Sequence, residues 1–268
     1  MVSGGAAVGV SAGHLSLDLG MRIALFADIH ANREALEACL SHAELYDVYQ
    51  YAFLGDLIGY GADPGWVLDI VSYHYEHGAI VVLGNHDEAV SLKKPDKTMN
   101  SDAQYAVDWT RSHITTSQTQ FMEKLPLTVE QSDSLYVHAN AWAPGDWEYV
   151  ISATEAKQSL AATPCRLTFC GHLHDPALYN QGAAGRVVPF TPVPGVDIPL
   201  GPQRRWLVVL GSVGQPRDRN PAACYALFDS VRNTLTYFRV PFDVESAAQK
   251  IRAAGLPDWL GTRLEMGV

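Results

Sequence analysis

Positive charge is the scarcest resource of this chain. Nineteen Lys and Arg stand against 29 Asp and Glu, giving a formal net charge of −10 at pH 7. Generic nucleic-acid binders hold phosphate backbones with a surplus of Lys and Arg, so no extended nucleic-acid surface is expected. Cysteine is also rare. The four present, Cys39, Cys165, Cys170 and Cys224, show no CxxC spacing. That excludes a dense disulfide framework and fits buried thiols in a reducing compartment. Cys165 and Cys170 bracket an apolar run and read as core packing rather than as zinc ligands. No stretch of 18 apolar residues occurs, so no spanning helix is expected. Residues 1–20 carry no Lys or Arg and no firm apolar centre, a poor match to a secretory leader. They read as a disordered extension, with residues 21–268 as a single domain of a soluble, cytoplasmic protein.

What is present in quantity is apolar sequence. At 268 residues and 47% hydrophobic, the chain has ample material for a sizeable core. Buried-strand runs alternate with helical periodicity: "RIALFAD", then "NREALEACLSHAE", then "YAFLGD", then a helix opened by Asp63 and Pro64 and stopped by Gly78, then "AIVVLGNHD". Helical segments fill the middle. A strand-rich half follows with "SLYVHA", "RLTFCGH", "RWLVVLGSV", "CYALFDS" and "TLTYFRVP", the last two spaced as a hairpin around Arg232 and Asn233. A last helix is expected over "VESAAQKIRAAG". This order suggests an α/β domain with two sheets face to face and helices outside.

The ends of these strands share one chemistry. Asp28 and His30 follow the first, Asp56 the second, Asn85 and His86 the third, His138 follows "SLYV", and His172 and His174 follow "RLTFC". Five of the ten histidines fall in these places. In open α/β sheets, ligands bind beyond the carboxyl ends of strands. A single Asp or Asn there would serve as a turn residue. So many oxygen and nitrogen donors at one edge point to metal. The mixture of imidazole, carboxylate and amide without thiolate suits Mn, Fe, Zn, Ni or Co. Even seven of these donors are too many for one ion, whereas two ions about 3.5 Å apart sharing one carboxylate would use seven, an arrangement suited to displacement at phosphorus.

The motifs "DIHAN", "GDLIGYG", "GNHD", "VHA" and "GHLH", in this order, resemble the calcineurin-like metallophosphoesterase superfamily. "GDLIGYGADP", "GSVGQPRD" and "AAQKIRAAGLPDWL" are similar to its small, YfcE-like prokaryotic phosphoesterases. The resemblance implies a four-layer α/β/β/α sandwich of two mixed sheets flanked by helices, with two divalent metal ions at its edge. It assigns Asp28, His30, Asp56 and His174 to one ion, and Asp56, Asn85, His138 and His172 to the other, with Asp56 as the bridge. It makes His86 a catalytic residue that contacts phosphate and protonates the leaving oxygen; a positioning role is the alternative. The implied reaction is hydrolysis of a small phosphodiester by in-line attack of a metal-bridging hydroxide. A phosphomonoesterase, including a protein or nucleotide phosphatase, and a non-catalytic scaffold of the same fold remain the alternatives.

The chain departs from the family at several points. Ala31 and Ala139 stand where many members have Gly, which narrows access without removing a ligand. Gly59, Tyr60 and Gly61 stand where phosphoprotein phosphatases carry Asp-Arg-Gly, so their phosphate-gripping arginine is missing there. Arg217 and Asn32 are the candidates to meet substrate in its stead; a surface ion pair with Asp218 is the alternative for Arg217. Trp142 and Trp147, in the loop after His138, are expected to pack that loop down rather than stack on substrate. A homo-oligomer is compatible with the sequence.

Overall fold

The computed structural model describes residues 21–92 and 99–268; the expected extension at residues 1–20 lies outside them. Along the chain run β1 (Arg22–Phe26), α1 (Arg33–Ala43), β2 (Gln50–Leu54), α2 (Pro64–Glu76), β3 (Ile80–Val82), α3 (Asn85–Ser91), α4 (Ser101–Arg111) and α5 (Thr116–Met122). Then come β4 (Thr128–Gln131), β5 (Ser134–Val137), α6 (Ala153–Ala161), β6 (Leu167–Cys170), β7 (Ala177–Gln181), β8 (Val187–Phe190), β9 (Ile198–Pro199) and β10 (Arg205–Val209). The strands β11 (Ala223–Asp229) and β12 (Thr234–Val240) and the helices α7 (Val244–Ala253) and α8 (Asp258–Met266) complete it.

Two six-stranded sheets result, in the orders β3-β2-β1-β11-β12-β9 and β4-β5-β6-β10-β7-β8. Both are mixed. β1, β2 and β3 run parallel with β11 antiparallel to β1, while β5, β6 and β10 run parallel with β7 antiparallel to β10.

Strand alternation decides which side chain enters which layer. On β1, Ile23 and Leu25 point between the sheets, where they join Leu54, Phe169, Val208 and Ala226. Ala24 and Phe26 point outward to Leu36, Cys39, Leu68 and Val71 of α1 and α2. On the far sheet, Leu207 and Val209 face Ala156 and Leu160 of α6. Because both faces of each sheet are covered, the strands read as continuous apolar runs rather than alternating ones. The layers are therefore helix, sheet, sheet, helix, as expected. Cys165 and Cys170 are buried in the outer layer against α6, which settles them as packing.

Several elements were not anticipated. "GNHD" does not end a strand; after β3 the chain turns at Gly84 and Asn85 already opens α3. Strands β4, β7, β8 and β9 were unread. "VESAAQKIRAAG" is not the last helix, because α8 follows it within five residues and packs against it through Leu260 and Leu264. Among the described residues, no helix is long and apolar enough to cross a membrane.

Candidate metal centre

The two sheets bring their carboxyl ends together at one edge. Asp28 and His30 follow β1, Asp56 follows β2, Asn85 and His86 open α3, His138 follows β5, and His172 and His174 follow β6. All eight are buried, none more than 8% exposed. The loops reach the edge by unusual backbone: Asp28, His30, Asp56, His172 and His174 all have left-handed φ, between 49° and 69°. Non-glycine residues rarely adopt it, and its concentration here marks strain held for a purpose. Ala31 shares it, at φ 51°. Gly84 is needed for a different reason. A Cβ there would stand 2.1 Å from the Asp56 amide nitrogen and 2.3 Å from its Oδ1.

Four donor atoms of Asp28, His30, Asp56 and His174 lie within 4.8 Å of one another, and so do those of Asp56, His138 and His172. Asp56 belongs to both groups. His30 Nε2 faces His174 Nε2 at 3.2 Å, with Asp28 Oδ1 3.4 Å from the latter and Asp56 Oδ2 3.7 Å from the former. In the second group His138 Nε2 lies 3.1 Å from His172 Nδ1 and 3.4 Å from Asp56 Oδ2.

The far nitrogen of every ring is spoken for. His30 Nδ1 donates to Ile58 O at 3.2 Å, His174 Nδ1 to Gln215 O at 2.7 Å, His138 Nδ1 to Leu54 O at 2.7 Å and His172 Nε2 to Trp147 O at 2.8 Å. A carbonyl oxygen only accepts, so each of these nitrogens carries the proton, and in a neutral ring the inward one carries a lone pair. Burial holds His30 and His174 well below their ordinary value, hence neutral. Burial also takes His172 down to about 3, with His138 adding to it. Lone pairs thus converge on two carboxylates. Backbone carbonyls fixing the tautomer are what metal-binding histidines use. At His138 burial opposes charge, but Asp56 and Asp28 outweigh it and push that ring up to about 9. In the absence of another cation, the carboxylates draw a proton there. Burial raises the Asp28 carboxyl to about 7. Asp56 is held well below the usual range, since His138, His86 and His30 outweigh its burial. The amide oxygen of Asn85 is buried and accepts no hydrogen bond among the described residues.

These groups open on a cavity of about 460 Å³, lined by Asp56, Asn85, His86, His172 and His174 on its floor. Its walls carry Tyr60, Trp147, Tyr149, Arg217 and Arg263. Arg217 has its guanidinium 5.9 Å from the Tyr60 ring centre and its Nη2 donating to Gln215 Oε1 at 2.8 Å. Asp218 is not its partner, being paired with Arg239. Asn32 does not line this cavity, and its side chain is bonded elsewhere. Its Oδ1 accepts from Ala35 N at 3.1 Å to cap α1, and its Nδ2 donates to Gly214 O at 2.8 Å. Trp147 both packs and lines: its indole donates to Glu88 Oε2 at 3.2 Å while its ring faces the cavity. Trp142 packs into the layer under α6.

The sequence reading missed four residues. The Tyr60 ring lies 4.7 Å from that of His30 and 4.5 Å from that of His86. Tyr149 stacks on His172 at 4.1 Å. Asp87 accepts the amide protons of Leu57, Ile58 and Gly84 at 3.0, 3.2 and 3.0 Å, pinning the loop that carries Asp56. Arg263 comes from the unread α8. "GNHD" and "GDLIGYG" held the signal for Asp87 and Tyr60, since both lie inside a motif beside a donor.

A metallophosphoesterase from Sphaerobacter thermophilus of known structure is 35% identical, covering 93% of this chain and 100% of that one, with a TM-score of 0.82. An uncharacterized protein of Methanocaldococcus jannaschii is 32% identical over 249 residues, 91% of this chain and 98% of its own length. A hypothetical protein from Pyrococcus horikoshii shares the fold at 17% identity and a TM-score of 0.74, covering 92% of this chain and 99% of that one. Residues 21–233 match the family model of the calcineurin-like phosphoesterase superfamily domain, and the chain belongs to that superfamily.

Proposed function

We propose that this protein is a phosphodiesterase that works with two divalent ions, drawn from Mn, Fe, Zn, Ni and Co. Asp28, His30, Asp56 and His174 would hold one, and Asp56, Asn85, His138 and His172 the other. The observation that carries this reading is the 3.2 Å approach of His30 Nε2 to His174 Nε2, each with its proton committed to a carbonyl on the far side of the ring. Two facing lone pairs repel, and a cation relieves them. Ions at these places supply Lewis acidity toward phosphoryl oxygens and a nucleophile near neutral pH.

The protein's own groups do the rest. Asp56 lies between the two donor sets and keeps its charge by its histidine neighbours. His86 sits on the cavity floor beside Asn85, its backbone N–H donating to Asp56 Oδ1 at 2.9 Å, and is placed to hand a proton to the departing alkoxide. Tyr60, wedged against the His30 and His86 rings, holds both in orientation. Arg217 offers positive charge to a phosphoryl oxygen from the wall. The aromatic walls and a volume of about 460 Å³ leave room for an organic group on both sides of phosphorus, which favours diesters.

The test is hydrolysis of bis-p-nitrophenyl phosphate and p-nitrophenyl phosphate by metal-stripped protein reloaded with each ion. The diester is expected to turn over, Asp56→Asn to be silent, and His86→Ala to lose roughly 10²–10⁴-fold in rate while retaining its metal. Turnover of the monoester alone would replace diesterase by phosphatase, and inactivity with every ion on both esters would remove the hydrolase reading.

A further inference from the structure

The cavity that holds the metal centre is also lined by two arginines, Arg217 in the loop after β10 and Arg263 on α8. Their proximity is built in. Arg219 N donates to Gly267 O at 2.7 Å, fastening that loop to the end of α8, and Leu260 and Leu264 seat the helix at 1% and 3% exposure. Among the described residues, neither arginine has an Asp or Glu side chain within ion-pair distance. Arg217 donates to Gln215, and its buried Nε has no acceptor. Arg263 donates through Nε to the carbonyl of Val268 at 2.7 Å, leaving its terminal nitrogens for the cavity. Of the acids that share the cavity, Asp56 is engaged by the histidines around it, and Asp146 and Glu148 are exposed on the loop before Tyr149, where water screens them; Asp102 on α4 acts on Arg263 from outside the cavity lining.

Two half-buried guanidiniums side by side repel. Burial and the charge of Arg217 bring Arg263 down to about 10, so it stays charged at neutral pH at a cost. An anion between them removes that cost, and guanidinium is suited to phosphate by its forked donors. The pair is graded in depth. The charge of Arg217 is felt at Asp28, His30 and His174 as well as at Tyr60 on the wall, that of Arg263, of these, at Tyr60.

We infer that Arg263, with Arg217, binds a second phosphate of the substrate, outward of the one at the metal centre, so that the preferred substrates are phosphate esters or anhydrides carrying two phosphorus groups. The inference rests on the hydrolase reading of the neighbouring centre and is tested apart from it. Dissociation constants of inorganic phosphate and of methylenediphosphonate, which has two phosphorus groups and a bridge that water does not cleave, are measured by calorimetry on metal-loaded protein. Metal content is checked after each titration.

Wild type is expected to prefer methylenediphosphonate, and Arg263→Gln to lose about tenfold or more of that preference, the scale of a charge-assisted hydrogen-bond pair. Arg263→Lys, which keeps the charge but not the bond to Val268, is expected to recover part of it. If Arg263→Gln weakens both anions equally or neither, or if Lys behaves as Gln does, the inference falls even when p-nitrophenyl esters are hydrolysed. If the preference shifts as expected while no ester is hydrolysed, the anion site stands and the hydrolase reading falls.

Discussion

Asp87 shows how a residue outside the donor set governs it. Its carboxylate gathers three backbone N–H groups, two from the turn that follows Asp56 and one from Gly84. It is fully buried, so those amides have no water to fall back on. Asp87→Asn keeps the shape but turns one acceptor into a donor, which must then face an N–H at either end. One buried amide is left unpaired, costing about 1–3 kcal/mol. Urea denaturation is expected to show that loss, and mass spectrometry a lower metal content, because the Asp56 turn loosens. Unchanged stability and full metal content would mean that Asp87 does not hold the turn. The left-handed residues belong to the same logic. Asp28, His30, Asp56, His172 and His174 each carry strain of order 1–3 kcal/mol that the surrounding core must outweigh.

That core is built by short strands, and Phe169 on β6 is its test at the scale of elements. It is fully buried between the sheets, its ring 5.4 Å from those of Tyr136 on β5 and Phe228 on β11. Phe169→Ala leaves a cavity that neither sheet can close without moving its hydrogen-bonded neighbours, and is expected to cost about 3–5 kcal/mol in urea denaturation. A cost under about 1 kcal/mol would mean that the sheets are not packed through this ring. β6 was legible in the sequence because "RLTFC" is a mostly apolar run stopped by Gly171, and mostly apolar runs also mark β1, β2, β10 and β11. The donors were legible for the same reason, standing within the first few polar positions after such runs. What was not legible lacked that contrast. β8 is mostly exposed and contains Pro189, β9 has two residues, and β4 is four residues of mixed polarity. α8 carries Gly261 in its middle and follows α7 too closely for a periodic pattern to separate them, so Arg263 could not be placed. The start of α3 at Asn85 was hidden because its N-cap is Gly84, so no capping Ser, Thr, Asp or Asn side chain separates it from the apolar run of β3.

For the molecule as a whole, the donor set is divided between the sheets. Asp28, His30, Asp56 and Asn85 come from the side of β1, β2 and β3, and His138, His172 and His174 from that of β5 and β6. Hydrogen bonds as well as packing tie these ends, among them His138 Nδ1 to Leu54 O at 2.7 Å, His172 N to the two oxygens of Asp28 at 3.1 and 3.0 Å, and Ser212 Oγ and Gly214 N to Asp28 O at 2.7 and 2.9 Å. A cation bound by both sides therefore acts as a staple across the sandwich. Ligands that bind only the folded state stabilise it by mass action, about 2.7 kcal/mol when present at a hundred times Kd. In a domain of this size each kcal/mol moves Tm by about 2–4 °C, so stripping the metal is expected to lower Tm by about 5–10 °C. Scanning calorimetry with and without a chelator measures this directly. Asp56→Asn, which removes the carboxylate common to both donor sets, is expected to melt at the same temperature in either condition. Were wild type to melt unchanged on chelation while the bound metal was shown to be gone, the edge would be held by its hydrogen bonds and the core alone, and the staple would have no part in the fold.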